Sequence, residues 1–397
     1  MPEANVLVVN CGSSSLRFAL VEPESGKVVR HGMAERLGTD AGFFRVDDGA
    51  EEALPPGAGH GEVLDQVLRR LDAARVLGVG HRVVHGGEAF SDSVVLDAAA
   101  IHAIEACSEL APLHNPANLR GILAARERFP NVPHVAVFDT AFHQTLPRKA
   151  HLYAIPYELY ERHRLRRYGF HGTSHRYVAG VAATRLGKPL AELELVTAHL
   201  GNGCSAAAVS GGHSVDTTMG LTPLEGLVMG TRSGDVDPNL HEFLVQHAGL
   251  SLPDVMELLN RKSGLLGLSG SSNDMRTLLA ARDQGDERAA LAIEVFCYRL
   301  AKAVLALGAA LPRIDALVFT GGIGEHAASV RAETLAALRL LGAAVDPELN
   351  AAHGLASNGR ITRADSRLVA LVVPTNEELV IARETARLVQ APRAVAR

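Results

Sequence analysis

The constraint that narrows the fold most is a repeated strand–turn–strand. Val6 to Leu20 (VLVVNCGSSSLRFAL) runs as an apolar strand, a turn through Asn10, Gly12 and three serines, and a second strand that alternates at Leu16, Phe18 and Leu20. Gly12 lets backbone approach a ligand closely, and serine hydroxyls with backbone N–H groups grip phosphate oxygens. Alone, the stretch reads equally well as an ordinary hairpin. Val196 to Val209 (VTAHLGNGCSAAAV) repeats the grammar with Gly201-Asn202-Gly203 as its turn. A third glycine-rich turn, Leu317 to His326 (LVFTGGIGEH), follows a strand and opens a helix. Three such turns, about 190 and 120 residues apart, point to two related halves closing on one nucleotide.

A chain of 397 residues fits two domains. Apolar content of 47% and charged content of 21% belong to a globular chain, and a net charge of −5 gives no sign of a nucleic-acid partner. Of 39 basic residues only five are lysine. Cys11, Cys107, Cys204 and Cys297 are scattered, which suits free thiols in a reducing compartment. No secretory signal pattern opens the chain, so a cytoplasmic protein is expected. Ala289 to Leu311 is long and apolar but holds Glu294, Arg299 and Lys302, which predicts a buried helix and no membrane contact.

Helical spacing marks Val63 to Leu77 through Val63, Leu64, Val67, Leu68 and Leu71. Val76 to Val84 is a predicted strand ending in HRVVHGGE, and His134 to Phe138 another, ending in Asp139. The boundary between halves is expected between Pro147 and Tyr168. Leu221 to Asp237 is a Gly- and Pro-rich loop of the kind that carries function on a rigid scaffold. Asn376 to Val389 is a closing helix that could cross back to the first half.

Open α/β sheets place ligands just after strands, where Arg82, Asp139, Asn202 and Gly322 stand. Arg82 reads as an ion-pair partner or a ligand, and Asp139 as a helix cap or a catalytic group. His171/His175 and His81/His85 have a spacing seen in zinc sites, but neither pair carries the HExxH glutamate. On a strand, i and i+4 lie about 13 Å apart. Non-metal roles are expected for both pairs. Gly322 to Ala327 fits GxGxxA, with Asp346 about 20 residues on, which keeps a dinucleotide-binding alternative open. No GxxxxGK[ST] occurs.

In order and spacing, NCGSSSLRF, GHRVVHGGE, VFDTAFHQT, RRYGFHGTSH, AHLGNG, GTRSGDVDP, FTGGIGEH and PTNEE resemble the acetate kinase family across nearly the whole chain. The resemblance implies an α/β fold of two duplicated actin/Hsp70-like (ribonuclease H-like) domains with an interdomain cleft, usually as a homodimer. It implies residues 1–150 as the N-terminal domain, with 385–397 packing there, and 151–384 as the nucleotide-binding domain. The implied reaction is reversible transfer of the ATP γ-phosphoryl group to acetate, giving acetyl phosphate and ADP, with Mg2+ or, in its place, Mn2+.

Carried over residue by residue, the resemblance implies Asn10 and Glu377 as metal ligands, with Glu378 adjacent, and Ser13, Ser15 and Arg17 at phosphate. Arg82 and Arg232 would grip acetate and the migrating phosphoryl group, and His171 would donate to its equatorial oxygens. Asp139 carries a proton-transfer label in the family. Acetate is already ionised at neutral pH, so an orienting role is expected instead. His114 and His199 would assist. His199, Leu200, Gly201, Asn202 and Gly203 would wrap phosphates. Asp274, Met275, Arg276, Gly322, Ile323, Gly324, Glu325 and His326 would surround adenosine. Val84, Leu113, Phe170 and Pro223 would hold the acetate methyl. The family usually has lysine where this chain has Arg17 and alanine where it has Cys11. Propionate kinase is the near alternative, and Val84, bulkier than alanine, favours acetate. A nucleotide-driven hinge module would need the phosphate turns but not Arg82, His171 and Arg232.

Overall fold

The structure, a computed structural model, describes residues 5–70, 76–112 and 114–391. It divides into two compact units. The first runs to Gln144 and resumes at Asn376; the second is Thr145–Thr375.

In the first unit, β1 (Asn5–Cys11), β2 (Ser15–Val21), β3 (Val28–Glu35), β4 (Phe43–Val46), β5 (Glu52–Ala53), β6 (Val76–Val83), β7 (Val94–Val95) and β8 (His134–Phe138) form one sheet. Its order is β5-β4-β3-β2-β1-β6-β8-β7. Strands β1 to β3 pair antiparallel, whereas β1, β6 and β8 run parallel. In the second unit, β9 (Glu194–Leu200), β10 (Cys204–Ser210), β11 (His213–Thr217), β12 (Ala316–Thr320) and β13 (Val369–Val372) are ordered β11-β10-β9-β12-β13. Here β9 to β11 are antiparallel, and β9, β12 and β13 parallel. The same five-strand plan therefore occurs twice, a meander continued by two parallel strands. This is the duplicated ribonuclease H-like α/β fold. It excludes the doubly wound sheet that a dinucleotide reading of Gly322 to Ala327 requires, because that motif follows the fourth strand of a mixed sheet.

Alternation sets the faces. Leu7, Val9, Cys11, Leu16, Phe18 and Leu20 share one core with Val63, Leu64 and Val67 of the helix His60–Leu68; the expected Leu71 lies outside the described residues. The helix Glu377–Gln390 lies on β1 and β6. Gly78 and Gly80 of β6 permit that approach: a Cβ at Gly80 would stand 2.5 Å from Thr385 Oγ1 and 2.6 Å from Ile381 Cγ2. Leu379, in the helix's first turn, packs on Gly26. The whole helix therefore belongs to the first unit, from residue 376 and not from 385. The other boundary falls at 144/145 instead of 150/151, where Thr145 Oγ1 donates to the Ser214 carbonyl at 2.8 Å.

The helix Glu287–Gly308 buries Ala289, Ala292, Ile293, Phe296, Leu300 and Val304, one stripe of helical spacing. Among the described residues, no helix is long and apolar enough to cross a membrane. The four cysteines are free and buried.

Candidate active site

Each unit carries its own set of polar groups at strand ends. In the first, the Gly12 N–H donates to the Ser15 carbonyl at 2.8 Å and closes the turn, leaving Ser13 and Ser14 exposed and Ser15 half-buried. Asn118, from the helix Asn115–Arg128, braces it. Its Nδ2 donates to the Cys11 carbonyl at 2.7 Å, while its Oδ1 accepts from the Val84 N–H at 3.0 Å. One amide thus ties the serine turn to the end of β6, which carries Arg82. Cys11 fits because its neighbour is Gly121, where a Cβ would overlap the sulfur. Burial pushes this thiol up to about 12, against the pull of Arg120.

Arg82 and Asp139 form a forked ion pair. Nε donates to Oδ1 at 3.0 Å and Nη2 to Oδ2 at 2.7 Å. Adjacent parallel strands place them, since β6 ends at Val83 and β8 at Phe138, and the Asp139 N–H donates to the Val83 carbonyl. Burial alone would lower the arginine's pKa, but the carboxylates of Asp139 and Glu377 outweigh it and push it up. Glu377 Oε1 is buried with no hydrogen-bond partner among the described residues. That orphaned oxygen, beside a charge-paired arginine, fits a hard cation. Glu378 lines a cavity of about 520 Å³ together with Arg17, His31 and Arg45. Arg17 stands directly opposite Asn10 in the β1–β2 pair, so both side chains share one face of the sheet.

In the second unit, His171 sits at the N-cap of the helix Gly172–Leu186 with φ 56°, a left-handed conformation that costs a non-glycine residue about 1 kcal/mol or more. Its Nδ1 lies 2.9 Å from Ser205 Oγ, and its ring stacks on His199 at 4.3 Å between centroids. A Cβ at Gly203 would lie 3.4 Å from His171 Nε2 and 3.5 Å from Arg232 Nη1, so the two groups converge on the glycine turn. Arg232 Nη1 donates to the Pro223 carbonyl at 3.0 Å. Arg232 has no carboxylate partner among the described residues, and burial lowers its pKa, Cys204 opposing. A half-buried cation in that condition is a receptor for an anion.

A cavity of about 500 Å³ lies in the same unit, lined by Gly201, Asn202, Asp274, Met275, Arg276, Gly322, Ile323 and His326. Asn273, Leu279 and Ala327 complete the wall; the sequence did not mark them. Asn273 Nδ2 donates to Asn202 Oδ1 at 3.0 Å, linking the Gly-Asn-Gly turn to the next wall. Asp274 caps the helix Met275–Asp283 and pairs with Arg276, whose hydrogen bond chiefly holds the carboxyl down to about 2.

Five of the nucleotide contacts expected in this unit stand apart from that wall. Leu200 is fully buried and Gly324 buried, and His199 and Gly203 lie at the His171 cluster. Glu325 is turned inward: its Oε1 accepts from the N–H groups of Gly321 (3.0 Å) and Thr375 (3.1 Å), so it braces the loop. The four expected methyl contacts are not gathered in either unit. Val84 is half-buried in the first, Phe170 (1% exposed) and Pro223 are in the second, and Leu113 lies outside the described residues. His114 stands at the N-cap of Asn115–Arg128 in the first unit. His81 bonds His134 ring to ring at 3.0 Å, and His85 exchanges backbone hydrogen bonds with the Asn115 side chain.

Two ribonuclease H-like units, one with a nucleotide-sized cavity behind a glycine turn and both with an arginine at a strand end or loop, define the actin and sugar-kinase class of fold. Within it, the acetokinase family model matches residues 5–383. The acetate kinase of Deinococcus radiodurans is 55% identical, covering 96% of this chain and 98% of that protein. The acetate kinase of Ectopseudomonas mendocina is 55% identical over 98% of this chain and all of its own length. The crystal structure of a propionate kinase from Francisella tularensis superposes with a TM-score of 0.92 at 43% identity, over 97% of this chain and 100% of that one. That of Porphyromonas gingivalis acetate kinase gives 0.91 at 41%, over 98% and 100%. The chain belongs to the acetokinase family.

Proposed function

We propose that this protein is an ATP:acetate phosphotransferase, which moves the γ-phosphoryl group of ATP to a carboxylate oxygen of acetate, reversibly, in one in-line step. The observation that carries it is Arg232, a half-buried guanidinium with no carboxylate partner among the described residues, beside His171 at a glycine turn.

Both reactants are anions, so catalysis consists largely of suppressing repulsion and aligning the atoms. Arg82 and Arg232 hold the carboxylate and the transferring group, and a guanidinium fork suits both planar shapes. His171 donates to equatorial oxygens as charge spreads over them. Asp139 takes no proton; it fixes the Arg82 fork and keeps it charged. ATP lies with its adenosine against Asp274, Met275, Arg276, Gly322, Ile323 and His326, and its phosphates at the Gly201-Asn202-Gly203 turn; Ser13 and Ser15 are proposed as further phosphate contacts. Asn10 and Glu377 would hold Mg2+, which when bound neutralises phosphate charge. The orphaned Glu377 oxygen supports that ligand over Glu378. In this proposal the enzyme works in the cytoplasm as a homodimer, a state that sedimentation velocity reads directly.

Propionate is the second reading, supported by the likeness to a propionate kinase structure. One methylene is worth only about 1–3 kcal/mol of discrimination. The test is hydroxylamine trapping of acyl phosphate from MgATP with acetate, propionate or butyrate. Acetate should give the highest turnover per unit concentration. A lead for propionate would refute the Val84 argument alone. ATP binding without product from any acid would replace the kinase by a nucleotide-driven hinge.

A further inference from the structure

We infer that Thr197, His175 and Ser205 form a buried relay that fixes which ring nitrogen of His171 carries its proton. The inference rests on the phosphoryl-transfer reading of His171.

The core face of β9 and β10 is polar where a covered sheet is ordinarily apolar. Thr197, Ser205 and His175 are all completely buried. Ser205 stands opposite His199 in the strand pair and Ala207 opposite Thr197, so the hydroxyls and the ring of His199 share a face. The helix Gly172–Leu186 covers it and delivers His175 from its first turn. Buried polar groups persist where they are paired, and these are paired in series. His175 Nδ1 lies 2.7 Å from Thr197 Oγ1, His175 Nε2 lies 2.8 Å from Ser205 Oγ, and His171 Nδ1 lies 2.9 Å from the same Ser205 oxygen.

Each hydroxyl has one hydrogen to give, and that sets the direction. Thr197 Oγ1 donates to the Ala207 carbonyl at 3.5 Å. It therefore accepts from His175 Nδ1–H. Neutral His175 then offers a lone pair at Nε2, which Ser205 O–H fills. The Ser205 oxygen in turn accepts from His171 Nδ1–H. The remaining nitrogen, Nε2, faces the Gly203 turn beside Arg232. With its proton held at Nδ1, neutral His171 can only accept at Nε2; the imidazolium alone donates there. A phosphoryl oxygen thus selects the charged ring. Among the described residues, the titratable groups placed near His171 are His175, which shares Ser205 with it, His199, whose ring stacks on it, and Arg232, which meets it at the Gly203 turn; Cys204 follows that turn, with its thiol pushed up to about 12 by burial. The donor is lost as pH rises through the imidazole's titration.

The probe is the imidazole ¹⁵N spectrum of the full-length protein, with the His171 signals assigned by difference against His171→Asn. Above the titration, the relay predicts a protonated Nδ1 and a bare Nε2. Thr197→Val keeps shape and removes the last acceptor. It should release the tautomer, flatten the alkaline limb of the kcat profile, and lower kcat about five- to tenfold with KM for ATP unchanged. Thr197→Ser should restore all three. A neutral wild-type His171 with its proton on Nε2 overturns the relay, as does a Thr197→Val enzyme with an unmoved pH limb and unmoved ¹⁵N signals. Wild-type protein with the predicted spectrum but no acyl phosphate product upholds the relay and refutes the functional reading instead.

Discussion

Arg82 and Arg232 are the same residue type in two different conditions. Arg82, in the first unit, is held by both oxygens of Asp139 and lies near the Glu377 carboxylate, which raises its pKa. Arg232, in the second, touches a carbonyl and a sulfur, and burial lowers its pKa. One cation is neutralised and aimed; the other keeps an unspent charge. In the proposed reaction the first suits orientation of a substrate that is already an anion. The second suits charge that shifts during transfer, since only an unpaired donor can strengthen its contact in the transition state.

Variants at Arg232 and at the partner of Arg82 separate these roles. Arg232→Ala should lower kcat by about 10² to 10³, the loss of a transition-state contact worth about 3–4 kcal/mol. Arg232→Lys should recover little, because the fork is gone. Near-normal turnover in Arg232→Ala would break the comparison. Asp139→Asn gives Arg82 the unpaired condition of Arg232. Removing one partner of a buried pair costs about 3 kcal/mol, so the melting temperature should fall, with KM for acetate raised about tenfold and the acid side of the pH profile unchanged. Loss of an acid limb would make Asp139 a proton acceptor after all. Glu377→Gln removes the charge of the orphaned oxygen. Half-saturating Mg2+ should rise about tenfold, while Glu378→Gln, whose side chain lines the Arg17 cavity and has no orphaned buried oxygen among the described residues, should leave it unmoved.

The smallest effect belongs to Asp274. Its folded pKa, about 2, lies below the unfolded value, so its contribution is present above pH ~4 and is lost as pH falls toward 2. Asp274→Ala should cost about 1 kcal/mol at neutral pH as a lost helix cap, read by urea denaturation, and progressively less as pH falls from about 4 through 2.

What was legible in the sequence was local. The serine and Gly-Asn-Gly turns, and Arg82 and Asp139 at neighbouring strand ends, follow from period-two patterns broken by glycine. Five-strand topology repeated behind two such turns confirms the duplicated fold. What escaped depends on contacts across long stretches of chain. Asn118, 107 residues from Cys11, reads as an ordinary helical residue until the turn is seen bonded to it. Ser205 and Thr197 look like strand filler, because alternation reports that faces differ but not which face a helix covers. Glu325 sits among glycines that open a cavity, and only the bonds to Gly321 and Thr375 show it facing inward. The closing helix could be foreseen, but its packing from Leu379 onward rests on Gly26, Gly78 and Gly80, distant glycines with no local signature.

The central claim is one direct transfer between ATP and a carboxylate, with no phosphorylated residue between. The measurement is the stereochemical course at phosphorus, using ATP made chiral at the γ position with oxygen isotopes and acetate as acceptor. Inversion in the acetyl phosphate is the predicted result. Retention would require two successive transfers through the protein and would contradict the account.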